Sequence, residues 1–183
     1  MVSGDEAKRL LAQAELIRSA EEVSLALDGL AVGITADLGE RFPVVLMVMR
    51  GAVFLAGQLL PRLTFPLEFD YLHATRYHGT RGGESIIWKV RPPESVRGRA
   101  VLVLDDILDE GHTLAAIRDS LDQAGAAEVR LAVLCEKRTG REKPVRADHV
   151  GFGVPDRYVF GCGMDVRGAW RNLPAVYALG EAA

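Results

Sequence analysis

Hydrophobic residues recur along the chain at spacings that change several times between helical and strand-like. Between residues 7 and 38, leucine, isoleucine and valine fall at helical intervals, which predicts one or two amphipathic helices, the second over residues 19–38. Apolar runs rich in β-branched residues and bounded by glycine or proline predict strands. The predicted strands cover residues 42–48, 67–76, 86–90, 100–104 and 129–134, with short strands between 150 and 160, and further helices are predicted over residues 53–63 and 113–124.

The order of these elements favours one fold class. Strands and helices alternate through the middle of the chain, and this order is typical of a parallel sheet whose crossover helices cover it. We therefore predict an α/β fold with a mostly parallel, twisted central sheet and helices on both faces. Residues 78–85 contain three glycines and are expected to form a loop, and the tail after residue 161 is expected to be irregular.

Composition narrows the class of protein. A chain of 183 residues, 49% of them hydrophobic, suits one well-buried domain. The net charge of −3 argues against a basic nucleic-acid-binding surface, and no apolar run approaches the ~20 residues of a membrane span. Cys135 and Cys162 lack Cys-X-X-Cys spacing, and no leader-like segment precedes them. We expect reduced thiols in a cytoplasmic protein.

The run over residues 101–113 carries the strongest chemical indication. Four β-prone apolar residues end at Asp105 and Asp106, and Gly111 and Thr113 follow just before a predicted helix. Successive side chains of a strand face opposite ways, so in strict strand geometry the two acids cannot both face one ligand. Gly111 permits a tight loop whose N–H groups bind phosphate, whereas carboxylates accept hydrogen bonds from sugar hydroxyls. The run indicates a ribose-phosphate site; the simpler interpretation is an acidic loop that caps a helix.

Residues 104–113 resemble the phosphoribosyl-pyrophosphate (PRPP) signature of the type I phosphoribosyltransferases, in particular the hypoxanthine-guanine phosphoribosyltransferases. The family pattern is four hydrophobic residues, two acids, two hydrophobic residues, Asp, Thr, Gly, any residue and Thr. The chain has Glu110 where threonine is usual and His112 where lysine is common. The resemblance implies that Asp105 and Asp106 hold the ribose hydroxyls. It implies that the following loop completes the PRPP site with Asp109, Glu110, Gly111, His112 and Thr113.

The same resemblance implies the overall organisation of the chain. It implies the type I phosphoribosyltransferase fold, in which a small hood covers the base. We expect a single domain over residues 1–183, with a core over about residues 36–150. The hood would be formed by residues 1–35 and 151–183.

Two further segments match the parts of the family that hold pyrophosphate. Arg50 and Gly51 follow the first predicted strand, where an ordinary strand-to-helix turn is the simpler interpretation. The resemblance implies a pyrophosphate loop here, with the Met49–Arg50 peptide bond as the candidate for a cis bond. Arg171 matches the arginine of the family that holds pyrophosphate.

Residues 74–77 match the mobile lid that closes over PRPP in the family. Tyr77 is kept, and Arg76 replaces the usual serine. Because arginine is a bidentate phosphate donor, the lid is expected to bind pyrophosphate differently. A flexible surface hairpin is the simpler interpretation of this stretch.

Four residues match the segments that bind the purine. The resemblance implies that Lys137 donates to the purine O6, which favours a 6-oxopurine over adenine; a solvated Lys-Arg pair is the common alternative. Tyr158 would stack on the base and Val159 would offer backbone groups to its edge, although a tyrosine in a short strand is more often core. Asp165 matches the aspartate that contacts Mg²⁺ or a water bound to it.

Together these segments predict a magnesium-dependent purine salvage enzyme. Hypoxanthine or guanine would react with PRPP to give IMP or GMP and pyrophosphate, with Asp109 as the general base at the purine N7. Asp165, Asp105 and Asp106 are the candidate metal ligands. The family resemblance also implies a homodimer or homotetramer, with no nucleic-acid or membrane partner.

Two alternatives stay open at this point. One is an enzyme of the same kind that prefers xanthine. The other is a PRPP-sensing RNA-binding attenuation regulator, which shares this fold and signature. That regulator typically has tyrosine at the position of Asp109, so the aspartate, Lys137 and the negative net charge argue against it.

Overall fold

The computed structural model describes residues 2–78 and 84–180. Within these ranges the chain forms four α-helices and nine strands. The helices are α1 (Gly4–Ala12), α2 (Ala20–Leu38), α3 (Val53–Leu59) and α4 (His112–Gln123), with short 3₁₀ turns at Leu60–Arg62 and Glu94–Val96. The strands are β1 (Glu15–Arg18), β2 (Val44–Val48), β3 (Glu68–His78), β4 (Glu84–Val90), β5 (Ala100–Leu108), β6 (Glu128–Arg138), β7 (His149–Pro155), β8 (Val159–Phe160) and β9 (Val176–Ala178).

The larger sheet has six strands in the order β4-β3-β2-β5-β6-β7. Five of them, from β3 to β7 across the sheet, run parallel, and β4 pairs antiparallel with β3 at one edge. The residues of β2 and the first half of β5 are almost wholly buried, as expected for parallel strands covered on both faces. The predicted α/β class with a mostly parallel sheet is confirmed.

Helices cover both faces of this sheet. α2 packs against β6 and β7, α3 packs against β2 and β5, and α2 and α3 also contact each other. The crossovers β2–α3–β3 and β5–α4–β6 run in opposite directions across the sheet, so right-handed connections place α3 and α4 on opposite faces. The hydrophobic core lies between the sheet and these helices. The carboxyl ends of the five parallel strands all lie at the same edge of the sheet.

The second, smaller sheet joins the two ends of the chain. β9 lies between β1 and β8 and is antiparallel to both. The assignment of residues 1–35 and 151–183 to a hood stays a prediction. Within the first of these ranges, β1 belongs to the small sheet, whereas α2 packs on the large one.

Several element boundaries differ from the predicted ones, and each difference has a tertiary cause. β5 continues to Leu108 and β6 to Arg138, well beyond the apolar runs, because the parallel ladder still pairs Leu108 with Glu136. The helical pattern over 7–38 is split by β1, since Ser19 begins α2 with a capping box and β1 finds its partner in β9. β9 itself lies in the tail expected to be irregular.

The predicted loop over residues 78–85 is shorter than expected, because β3 includes His78 and β4 begins at Glu84. Residues 79–83 lie outside the described residues.

Cys135 and Cys162 are both free and buried, as expected for reduced thiols. Burial raises the pKa of Cys162 to about 12. Among the described helices, none has the length and apolar character to cross a membrane.

Candidate active site

A cavity of about 260 Å³ lies at the carboxyl edge of β2 and β5, and a second of about 210 Å³ adjoins it beside the end of β6. Asp106, Asp109 and Arg171 line both, so the two cavities form one continuous site. Ligands of open α/β sheets bind at this edge. Most of the predicted site residues line one of the two cavities. The first cavity is lined by Gly51, Asp105, Asp106, Asp109, Glu110, Gly111, Thr113 and Arg171. The second is lined by Lys137, Tyr158, Val159 and Asp165.

Three chain segments meet at the centre of the site with almost no space between them. A Cβ atom at Gly51 would overlap the Asp106 carboxylate. Gly163, at φ +103°, is so close to the Gly51 carbonyl oxygen that a Cβ there would overlap it. The loop after β2, the end of β5 and the segment after β8 therefore pack on each other through backbone that only glycine permits. The Met49–Arg50 peptide bond is cis, so the sequence-based prediction is confirmed.

Positive charge gathers beside the Gly51 loop. The Arg50 side chain is exposed and lies outside both cavities. His73 on β3 has its pKa lowered first by burial and then by the charges of Lys89 and Arg50, so the three side chains share one electrostatic environment. Sequence reasoning missed His73 and Lys89, because the pairing of β3 with β4 decides that they lie near Arg50.

The acidic pair lies inside the strand and not after it. Asp105 is only 8% exposed, and its Oδ1 accepts a hydrogen bond of 3.0 Å from the backbone N–H of Asp106. Burial and the neighbouring Asp106 raise the pKa of Asp105 well above its usual range. Burial also raises the pKa of Asp106, and the charge of Arg171 partly opposes that rise. The protein thus holds two carboxylates where water stabilises them poorly, and groups that donate hydrogen bonds to them are favoured there.

The loop after β5 leads directly into α4. Gly111, at φ +89°, is the residue before the helix, and no side chain caps the helix start. Thr113 and Gly111 line the first cavity, so the first turn of α4 faces it. His112 is exposed and lines a neighbouring cavity with Arg141 and Asp156 instead. The predicted contribution of His112 to PRPP binding stays a prediction.

The second cavity combines a charge pair with an aromatic ring. Lys137 Nζ lies 2.7 Å from Asp109 Oδ2, which joins the end of β6 to the loop after β5. The Tyr158 hydroxyl donates to the Asp165 carbonyl oxygen at 3.0 Å, while the residue remains 53% exposed. Burial and the charge of Asp165 raise the pKa of Tyr158, so its hydroxyl keeps its proton. Tyr158 is therefore not a core residue, and its ring borders the cavity.

Asp165 is held by two groups of its own segment. Its Oδ1 pairs with Arg171 Nη2, and its Oδ2 accepts a hydrogen bond of 2.7 Å from the Gly168 N–H. Arg171 Nη1 also donates to the Gly163 carbonyl oxygen at 2.6 Å. The guanidinium of Arg171 thus sits at the junction of the two cavities in a fixed orientation.

The carboxylates of the site suit a metal ion that is bound jointly by the protein and a ligand, more than one bound by the protein alone. Among residues 2–78 and 84–180, no group of three or more His, Cys, Asp or Glu side chains is arranged to hold a metal ion. Mg²⁺ is commonly bound through one or two carboxylates, substrate phosphates and waters. Asp105, Asp106 and Asp165 could supply those carboxylates at this site.

The side chains of the predicted lid residues, Arg76 and Tyr77, lie outside the described part of the structure. Their backbone belongs to β3, which pairs with β4. Ala74 of the same strand lines the first cavity, so β3 leads from the site toward the predicted lid.

Lys143 lies outside the two cavities but beside the site, and sequence reasoning missed it. Its side chain is only 10% exposed. Its ammonium donates to the carbonyl oxygens of Leu108 and Lys137, at 3.1 and 2.7 Å, and to Glu136 Oε1 at 3.0 Å. It therefore ties the end of β5 to the end of β6, directly behind the Asp109–Lys137 pair. Nothing in the sequence distinguishes this lysine from its charged neighbours in the loop.

Comparisons with known proteins agree on one family. Residues 13–167 match the phosphoribosyl transferase domain. The hypoxanthine-guanine phosphoribosyltransferase of Streptococcus pneumoniae (strain ATCC BAA-255 / R6) is 30% identical over 168 residues, covering 91% of this chain and 93% of that protein. The hypoxanthine-guanine-xanthine phosphoribosyltransferase of Tritrichomonas foetus is 33% identical over 162 residues, 88% of each. A crystal structure of a hypoxanthine phosphoribosyltransferase from Staphylococcus aureus matches with a TM-score of 0.82 at 25% identity, over 94% of this chain and 95% of that one.

Replacement of Lys143 by methionine is expected to destabilise the protein. The change keeps most of the side-chain volume but removes three hydrogen bonds of a nearly buried ammonium, which should cost about 2 kcal/mol. Urea unfolding followed by circular dichroism measures this free energy. Lys8→Met, at an exposed lysine of α1, is the matched control and should change it by less than ~0.5 kcal/mol. Equal stability of the two variants would contradict the role assigned to Lys143.

Proposed function

The chain belongs to the phosphoribosyltransferase family, and from this premise we propose that it transfers the 5-phosphoribosyl group of PRPP to hypoxanthine or guanine. The products would be IMP or GMP and pyrophosphate. One observation carries this proposal: the buried acidic pair and the open first turn of α4 border one cavity, and the Lys137–Asp109 pair borders the adjoining one. A sugar phosphate and a base joined to it would fill these two cavities together.

The base-binding end supports a 6-oxopurine. O6 and N7 lie on the same edge of the purine, so one base can contact the ammonium of Lys137 and the carboxylate of Asp109 at once. A 6-oxo group accepts a hydrogen bond from Lys137, whereas the 6-amino group of adenine would place donor against donor. Tyr158 and Val159 border the same cavity and would contact the ring face and the ring edge.

The reaction assigned to this site is a displacement at the anomeric carbon. N9 of the base forms a bond to C1′ of PRPP while the bond from C1′ to the pyrophosphate oxygen breaks. The proton on N7 passes to Asp109, which acts as the general base. Asp105 and Asp106 would hold the ribose hydroxyls, and their negative charge suits the positive charge that develops on the ring.

The phosphate groups would be held at the two ends of the first cavity. The backbone N–H groups around Gly111, with Thr113, would bind the 5′-phosphate at the start of α4. The loop of Arg50 and Gly51, together with Arg171, would bind the pyrophosphate. Asp165, Asp105 or Asp106 would hold Mg²⁺, whose positive charge would offset the negative charge of the leaving pyrophosphate.

The proposed location follows from the use of cysteine in the sequence, and the proposed assembly follows from the family resemblance. We propose a cytoplasmic enzyme that works as a homodimer or homotetramer, with PRPP, the purine base, the nucleotide and pyrophosphate as its small-molecule partners. The net charge of −3 favours neither RNA nor DNA as a partner.

A spectrophotometric assay with PRPP and each of four bases tests the proposed function. We expect turnover with hypoxanthine and guanine and none with adenine, because of the donor at Lys137. Xanthine is included because the relative from Tritrichomonas foetus bears its name. Exclusive use of xanthine would overturn the base assignment. Absence of transfer to any base, together with tight and salt-sensitive RNA binding in a filter assay, would favour the regulator instead.

The variant Asp109→Asn tests the general base. It keeps the size of the side chain but removes proton acceptance, so turnover should fall by ~10²-fold or more with PRPP binding largely kept. Initial rates and PRPP affinity by calorimetry measure the two quantities. The control Asp119→Asn makes the same chemical change on the exposed side of α4 and should leave both unchanged. Full activity of Asp109→Asn would rule out the assignment.

Removal of divalent metal tests the role of Mg²⁺. Dialysis against EDTA should abolish transfer, and Mg²⁺ added in excess should restore it, because the pyrophosphate would otherwise leave with unneutralised charge. Rates measured against Mg²⁺ concentration check this. Undiminished activity in EDTA would remove the metal from the mechanism.

A further inference from the structure

Helix α1 lies outside the range that matches the family yet contacts the site's last segment. The match begins at residue 13, just after α1 ends at Ala12. The indole N–H of Trp170 donates to the Ala7 carbonyl oxygen at 2.7 Å. The Arg167 guanidinium lies 2.6 Å from Glu6 Oε1. These contacts bring together residues more than 160 positions apart, at a place next to Arg171.

The segment that α1 contacts is a turn in a costly conformation. Val166 and Ala169 exchange backbone hydrogen bonds of 3.0 Å, which closes the turn. Arg167 and Trp170 both have positive φ, at 50° and 69°, a region that residues with side chains rarely adopt. Such conformations persist only where the surroundings hold them. The two residues with this strain are the same two that bond to α1.

The shape of this turn decides where the Asp165–Arg171 pair lies. The Gly168 N–H at the tip of the turn donates to Asp165 Oδ2 at 2.7 Å, and Asp165 Oδ1 pairs with Arg171. Trp170 is the residue directly before Arg171. A shift of the turn would therefore move both members of the pair, at the junction of the two cavities.

The packing of α1 adds little to the hydrophobic core. Ala7 is the one buried residue among the described residues of this helix. An isolated helix of nine residues is unstable in water, so α1 depends on its contacts with the rest of the chain. Its strongest polar contacts go to the turn and not to the large sheet, which points to a role in local geometry.

We propose that α1 is a positioning element for PRPP, which holds the turn 166–170 and through it Asp165 and Arg171. This inference rests on the proposed function, since it assumes that Arg171 binds the pyrophosphate group. The helix makes no contact with ligand in this role. It acts instead through the Glu6–Arg167 and Ala7–Trp170 contacts, which hold the turn in place.

Loss of α1 or of its contacts should weaken PRPP binding selectively. Deletion of residues 2–12, Glu6→Ala and Trp170→Phe should each raise the dissociation constant and the KM for PRPP, on the order of tenfold for the deletion, because Arg171 is misplaced. The KM for hypoxanthine should change less than twofold. If α1 had a purely structural role, its loss would lower stability without raising the KM for PRPP more than the KM for hypoxanthine. Calorimetric titration with PRPP measures the dissociation constant, and steady-state kinetics measure the two KM values.

Matched variants sharpen the test. Lys8→Ala alters an exposed position of α1 and should bind PRPP as the unaltered chain does. The double variant Glu6→Arg with Arg167→Glu restores opposite charges and should recover most of the affinity that Glu6→Ala loses. The chain has two tryptophans, so fluorescence of Trp170 in a Trp88→Phe background reports whether α1 still covers the indole.

The outcomes separate this inference from the function on which it rests. If Arg171→Ala weakens PRPP binding but the deletion and Glu6→Ala leave it unchanged, the positioning role is wrong and the proposed function stands. If the unaltered chain neither binds PRPP nor transfers the phosphoribosyl group, the proposed function fails, and the inference fails with it.

Discussion

The close approach of three backbone segments at Gly51, Asp106 and Gly163 is the constraint on which the site depends. No side chain fits between the loop after β2 and the Asp106 carboxylate, or between that loop and the segment after β8. The sheet holds β2 and β5 side by side, and the glycines let the third segment close on them. This contact fixes the relative positions of three segments that border the two cavities.

Most charges in and beside the site are arranged in pairs of opposite sign. Lys137 pairs with Asp109, Arg171 with Asp165, and Lys143 with Glu136. Asp105 and Asp106, by contrast, lie beside each other with like charge, and burial raises the pKa of both. A ligand that brings hydroxyl donors to the acids and phosphate to the cations would exchange these internal contacts for its own. The site thus holds its charged groups in orientation before any ligand arrives.

The two ends of the chain pack together beside the site. β1 and β9 pair in the small sheet, and Arg157 reaches both Glu15 and the Leu179 carbonyl oxygen. α1 in turn contacts the turn before Arg171, through the hydrogen bond from the Trp170 indole to the Ala7 carbonyl oxygen. The segments after β7 that border the two cavities therefore contact residues from the first tenth of the chain.

Local sequence predicted most of the architecture because its main determinants are local. Hydrophobic periodicity, the glycine and proline boundaries and the order of strands and helices depend on neighbours in the chain, and they sufficed for the α/β class and the parallel sheet. The run ending at Asp105 and Asp106 likewise predicted residues that border a cavity, since a strand, an acidic pair, a glycine and a helix start follow each other directly.

Pairing between residues that are distant along the chain could not be predicted from local sequence. β1 and β9 are too short to be recognised before their partners are known. β5 and β6 extend into charged residues because each continues the other's ladder. Lys143 and Trp170 hold segments beside the site through bonds to backbone carbonyls, and the sequence does not show which carbonyl a side chain will reach. The sequence by itself determined most of the elements and the placement of an acidic pair, a glycine and a helix start in direct succession. The tertiary structure alone decided which distant groups meet, because hydrogen bonds and ion pairs form between positions in space, whatever their separation along the chain.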